Sequence, residues 1–173
     1  MELKLEAPDL RWQGSYCSLV AESKRHGGVL VPYVLKLPTE NFPELVKLLK
    51  YRARGIGIAE TFVPNETFWL VRDDCEVVGV SNLRLRLNES LEKNGGHIGI
   101  GIRPSLRGKG FATLLLAETL KKARERGIFK VLVTCAQSNI ASAKVILKNG
   151  GVLQADELLD EEGEIINRYW IVT

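Results

Sequence analysis

Three cysteines in 173 residues, Cys17, Cys75 and Cys135, are too few and too far apart for a disulfide framework. None belongs to a Cys-x-x-Cys pair, and the two histidines, His26 and His97, lack metal-ligand spacing or an acidic partner, so no metal site is expected. Charge of one sign is also scarce. The 24 Lys and Arg and 21 Asp and Glu leave only +3, interspersed rather than blocked, which gives no argument for nucleic acid. No apolar run approaches the ~18 residues of a membrane span; the longest, residues 29–35, is broken by Pro32. The first six residues alternate charge with leucine and carry no signal-peptide core, so a reducing, cytoplasmic location is expected. Repeats, low-complexity tracts and Pro/Gly/Ser linkers are absent, which predicts a single domain over residues 1–173.

What is present is a globular composition, 45% hydrophobic and 26% charged, enough for a sizeable core. Residues 15–26 predict a helix ending at Gly27-Gly28, and residues 29–37 read as extended. Thr39 or Asn41 then caps a helix whose Leu45, Leu48 and Leu49 keep helical spacing, with Gly55 as its stop. Residues 67–71 predict a strand, Asp73-Asp74 a turn, and residues 76–88 a longer strand. In that strand Leu83, Leu85 and Leu87 alternate with Asn82, Arg84, Arg86 and Asn88, giving an apolar face and a polar one that reads as solvated. After Asn94-Gly95-Gly96, residues 97–103 put three isoleucines on one face and His97, Gly99, Gly101 and Arg103 on the other. A helix over 111–126 and an apolar strand over 130–135 follow. Asn139 caps a helix to about Lys148, and two strands near 152–157 and 164–172 close the chain. The fold class is α/β with a mixed sheet.

The chemistry concentrates in residues 103–113, Arg-Pro-Ser-Leu-Arg-Gly-Lys-Gly-Phe-Ala-Thr. A helix amino terminus leaves N–H groups unpaired and attracts anions. Gly108 and Gly110 let the backbone approach a phosphate, and Arg107 and Lys109 add cationic donors. The plain alternative is a glycine-bearing turn with two solvated basic residues. A Walker loop needs Gly-x-x-x-x-Gly-Lys-Ser/Thr, which no segment supplies. A dinucleotide fingerprint fails as well, because Thr113 stands at the third glycine and the next strand ends in Thr134-Cys135.

These residues resemble the acetyl-CoA motif of the GNAT family of N-acetyltransferases, Gln/Arg-x-x-Gly-x-Gly/Ala, met by Arg107, Gly110 and Ala112 with Gly108, Lys109 and Phe111 between them. A second signature, Asn-x-x-Ser/Ala before an apolar helix and a glycine, is met by Asn139, Ser142 and Gly150. The Asn-Ile-Ala-Ser form is most similar to the branch with ribosomal-protein acetyltransferases, and the likeness covers residues 67–173. It implies a GNAT-like acyl-CoA N-acyltransferase fold with splayed central strands, and direct acetyl transfer from acetyl-CoA to an amine on a small molecule or a protein. It also implies a cofactor site of Gly101, Ile102, Arg107, Gly108, Lys109, Gly110, Phe111, Ala112, Thr113, Asn139 and Ser142, and the possibility of a homodimer. The Gly99/Gly101 face has no side chains to block a ligand lying along that strand.

Acetylating an amine requires removing its proton, and the leaving thiolate is helped by an acid. Many relatives carry a basic Glu where His97 stands, and imidazole is a chemically sensible replacement. The usual acid is a Tyr at the position of Ile146, which donates nothing; Cys135 and Tyr169 are the remaining candidates, and packing is the more common role for each. If the polar face of Asn82, Arg84, Arg86 and Asn88 lines a cleft instead, its two guanidinium groups favour an acceptor bearing carboxylate or phosphate. A noncatalytic acyl-CoA-binding module of the same fold and a nucleotide-binding switch are the competing functions.

Overall fold

Leu3 and Leu5 alternate with Lys4 and Glu6, and this stretch pairs as strand β1 (Leu3–Glu6), a role its charges mask in the sequence. In the computed structural model, which describes residues 1–154 and 158–173, helices α1 (Gln13–His26) and α2 (Phe42–Arg52) follow. The chain returns as β2 (Asn65–Arg72) and β3 (Glu76–Arg84), makes a short α3 (Glu89–Lys93), and enters β4 (Ile98–Ile102). Then come α4 (Phe111–Glu125), β5 (Lys130–Ala136), α5 (Ile140–Lys148), β6 (Val152–Leu153), β7 (Leu158–Leu159) and β8 (Ile165–Val172). One antiparallel sheet has the order β1-β2-β3-β4; the other runs β5-β8-β6, with β7 also on β8. The architecture is α/β, and its sheet parts between β4 and β5. No described helix is long and apolar enough to cross a membrane.

Each face of the first sheet has its own core. Toward α1 and α2, Trp69, Val71, Val77 and Val80 meet Tyr16, Leu19, Phe42, Leu45 and Leu49. The Tyr16 ring stacks on Trp69 with centroids 4.6 Å apart. Toward α4, Leu70, Val78 and Ile102 meet Phe111 and Leu115, and Leu83 and Ile98 meet Leu116 and Leu120. The spacing of α4's buried residues, Leu115, Leu116, Thr119, Leu120 and Ala123, is what one helix face requires.

Several local expectations need correction. Residues 29–37 are not extended: after the cis Val31-Pro32 bond the chain makes a 3-10 turn over Tyr33–Lys36 that drops Val34 and Leu35 into the core. The strand expected to reach Asn88 ends at Arg84, because Asn88 accepts the Leu91 N–H and caps α3. Of the strand expected over 152–157, only Val152–Leu153 is observed, and residues 155–157 lie outside the described residues. Asn41, not Thr39, caps α2, which stops before Gly55.

Two features place the start of the 103–113 loop. Arg103, 6% exposed, donates to the Ser15 and Val77 carbonyls and pairs with Glu22 at 3.1 Å, while the other Glu22 oxygen accepts the Ser105 N–H at 2.6 Å. Gly101 lies directly under the Val31 carbonyl: a Cβ there would stand 2.1 Å from Val31 O. Gly101→Ala is expected to destabilise the fold by ~1–3 kcal/mol, as overpacking does. Gly14→Ala in α1, where a Cβ meets nothing, is expected to stabilise by ~0.5–1 kcal/mol. Urea denaturation of the two variants checks the opposite signs.

Candidate active site

The loop after Arg103 bends twice through the left-handed region, at Gly108 (φ 76°) and Gly110 (φ 85°), where L side chains are strained. Arg107, Gly108, Lys109 and Gly110 are all exposed, and Gly110 opens α4 with no side-chain cap. Among the described residues no group bonds the N–H of Gly108, Lys109 or Gly110. Those donors, the positive end of the α4 dipole and two basic side chains make a cradle for an anion.

Beside this cradle runs β4, whose two edges differ. Arg84 N–H donates to the His97 carbonyl, and Arg103 N–H to Val78. The register therefore aims the His97 carbonyl, the backbone groups of Gly99 and Gly101 and the Arg103 N–H at β3, and the backbone groups of Ile98, Ile100 and Ile102 at the opposite edge. Among the described residues no strand pairs along that edge. Arg107 Nε reaches the Ile102 carbonyl at 3.4 Å. The expected reason for Gly99 and Gly101 is thus corrected: their face is covered by Val31 and Pro32, and the open lane is the strand edge. Gly101 turns its own polar groups to β3, so Ile102 and its alternate neighbours carry the exposed ones.

His97 closes one end of the gap between the sheets. Its N–H donates to the Leu132 carbonyl at 2.7 Å, and its Nδ1 accepts the Leu132 N–H at 2.9 Å. A lone pair is required at Nδ1, so the neutral ring carries its proton on Nε2. Burial, reinforced by the Arg84 guanidinium, pushes its pKa down to about 4. With one nitrogen bonded and the other protonated, the predicted base has no lone pair to offer, and the geometry gives His97 a joining role instead.

Cys135 and Tyr169 lie together in the core shared by α4 and α5. Burial raises both pKa values, so both side chains hold their protons at neutral pH. Tyr169 accepts from Asn167 Nδ2 at 3.4 Å. No described contact joins either residue to His97. Asn139 caps α5, its Oδ1 taking the Ser142 N–H at 3.0 Å. Asn149, unmarked in the sequence reading, donates to the Thr113 carbonyl and ties the end of α5 to the start of α4. Phe111 is buried in the α4 core, with Ala112 and Thr113 half-buried beside it.

On the α1/α2 face lies a cleft of about 350 Å³, lined by residues of the 3-10 turn, the end of α2, the segment 61–63, the start of β2, the end of β3 and α3. The polar face expected to be solvated is here: Asn82 is buried and Arg84 half-buried. Asn82 Nδ2 donates to Asn65 Oδ1 at 2.7 Å and to Thr67 Oγ1 at 3.2 Å, so the floor satisfies itself.

A model of the acetyltransferase (GNAT) family matches residues 31–150. The chain belongs to the GNAT family. No curated protein sequence matches it. Solved structures share the fold at low identity. The Salmonella typhimurium acetyltransferase that modifies the N-terminal serine of ribosomal protein L7/L12 is 20% identical, with TM-score 0.67 over 99% of this chain and 95% of that one. The microcin C7 self-immunity acetyltransferase, solved with acetyl-CoA and AMP, is 15% identical, with TM-score 0.70 over 99% and 93%. The dodecameric spermidine N-acetyltransferase of Vibrio cholerae is 19% identical, with TM-score 0.66 over 98% and 93%.

In this GNAT protein the state of His97 has a consequence for stability. The unfolded chain binds a proton at His97 below ~6.5, whereas the folded chain does so only below about 4. Stability is therefore expected to fall as pH drops through that window, by roughly 3 kcal/mol for this group. His97→Gln, whose amide oxygen can still accept the Leu132 N–H, should flatten that slope in denaturation curves between pH 6.5 and 4.

Proposed function

We propose that this GNAT protein transfers an acetyl group from acetyl-CoA to an amine in a reducing, cytoplasmic compartment. The observation that supports it most is the adjacency of an uncapped α4 terminus, bent at Gly108 and Gly110, to a strand with one unpaired edge. The three described cysteines are free, in keeping with such a compartment. The N–H groups of residues 108–112, with Arg107 and Lys109, would hold the pyrophosphate. The outward backbone groups of Ile98, Ile100 and Ile102 would hold the pantetheine arm, and Asn139, its Oδ1 already occupied, offers Nδ2 from the head of α5. Acetyl-CoA when bound supplies the acyl carbon and the leaving thiol: the amine nitrogen bonds to that carbon, the C–S bond breaks, and the proton lost at nitrogen is matched by one gained at sulfur.

The chain's own groups contribute position more than proton transfer. His97 holds β4 against β5 and accepts no proton at neutral pH. No carboxylate lines the cleft among the described residues, so the acceptor amine gives its proton to water. Cys135 is a protonated thiol on the strand across the gap from β4 and is our candidate donor to sulfur, with Tyr169 beside it. The lack of a free base favours one other reading, a binding module without turnover. Following release of the CoA thiol over a broad amine panel separates them; binding without release in every case supports the module.

If water is the base, the rate rises with pH through the pKa of the acceptor itself. The limb is expected near pH 8 for an α-amine and near 10 for a lysine-like amine. It should stay where it is in His97→Gln, and a limb fixed near 6.5 for all acceptors contradicts this account. In Gly110→Val, a side chain in the cradle should weaken CoA binding at least 10-fold by calorimetry. Gly127→Val carries a comparable backbone strain (φ 76°) away from the cradle and should bind CoA normally.

A further inference from the structure

The cleft at the ends of β2 and β3 holds two guanidinium groups without an acid. Arg52, at the end of α2, is 9% exposed, and its Nε is buried with no hydrogen-bond partner among the described residues. The Tyr33 and Phe62 rings each have the guanidinium carbon 5.8 Å from their centroids. Such contacts offset part of the burial of charge, but they leave the buried Nε–H without an acceptor. Arg84 commits Nη1 to the carbonyls of Gly95 and Gly96, at 2.8 and 3.0 Å. Its Nη2 points toward β4 and would stand 3.7 Å from a Cβ at Gly99. Burial alone lowers the pKa of Arg84, and no carboxylate acts on either group.

Arg103 shows how this chain treats a buried guanidinium that serves only the fold: with Glu22, Glu76, a serine hydroxyl and two carbonyls. The cleft departs from that practice. Its amide floor is satisfied by its own bonds, so the buried donor left unmet in the cleft is Arg52 Nε. A buried positive charge without a counter-ion is costly unless a ligand supplies one.

We propose that the acceptor is an amine that also carries an oxyanion, a carboxylate or a phosphate, seated on Arg52 and Arg84 with its apolar body against Tyr33 and Phe62. This assignment rests on the acetyltransferase reading for which end reacts, but the anion site stands on its own. Two guanidinium groups without a carboxylate partner also repel a polyamine, so that class of acceptor is expected to be used poorly.

The test pairs acceptors that differ only in charge. The amino acids are compared with their amides, and O-phosphoethanolamine and glucosamine 6-phosphate with ethanolamine and glucosamine, by CoA release and by equilibrium binding. Anionic members are expected to be preferred in kcat/KM or Kd by about 10- to 100-fold, the range for a charge-assisted contact. The arm that shows the preference identifies carboxylate or phosphate. Arg52→Met, which keeps the stem against the rings, should collapse that ratio toward one without altering acetyl-CoA affinity. Arg52→Lys should restore part of it. Equal use of charged and neutral members, preference for polyamines, or a ratio unchanged in Arg52→Met overturns the proposal. If acetyl-CoA binds and nothing is acetylated, the transfer reading fails, and an Arg52-dependent preference in binding still upholds the anion site. If neither arm shows an Arg52-dependent preference, the site is refuted whatever the activity.

Discussion

Strand β4 is hydrogen-bonded along one edge and open along the other, and both sides of the site depend on that asymmetry. Pairing with β3 aims alternate backbone groups inward and leaves those of Ile98, Ile100 and Ile102 facing the gap. The gap exists because β5 belongs to another sheet, and it is closed at one end because His97 exchanges two bonds with Leu132. Lose the joint and the sheets drift; extend it into a ladder and no edge remains. The isoleucine side chains, meanwhile, anchor the strand to α4. One five-residue segment thereby fixes the core, the gap and the start of the glycine loop before α4.

The two ends of β4 are secured by different chemistry. At its carboxyl end Arg103 is a fully partnered charge that locks α1 to the loop through Glu22. At its amino end the partner of β5 is a neutral imidazole, which a proton would disrupt. Near these anchors stand two charges that the fold does not neutralise. The contrast separates charges that hold the frame from charges held in reserve by it.

Much of this was legible from residue order. The glycines at 108 and 110, the Asn139 cap and the isoleucine alternation each follow from a local rule, and local rules survive folding. Contacts distant in sequence were not legible. Gly101 looked like room for a ligand, but the Val31 carbonyl, 70 positions away, fills it. Arg84 looked solvated because alternation tells which residues share a face, not what covers that face. His97 looked like a base, and only the Leu132 N–H at its Nδ1 reveals otherwise. Arg52 carried no signal at all, since a basic residue near the end of a helix is ordinary.

An open strand edge is also a hazard, because exposed N–H and C=O groups invite another chain to add a strand and start aggregation. Here the edge lies inside a wedge rather than on a rim. His97 and Leu132 block one end, and the Arg107 side chain, through its contact with the Ile102 carbonyl, lies across the other. A β-strand needs a partner along its length and about 4.8 Å of lateral room at every step, and here both ends of the edge are already occupied. The unpaired edge is therefore short and closed off at both ends, which leaves little of it free for a second polypeptide to pair with.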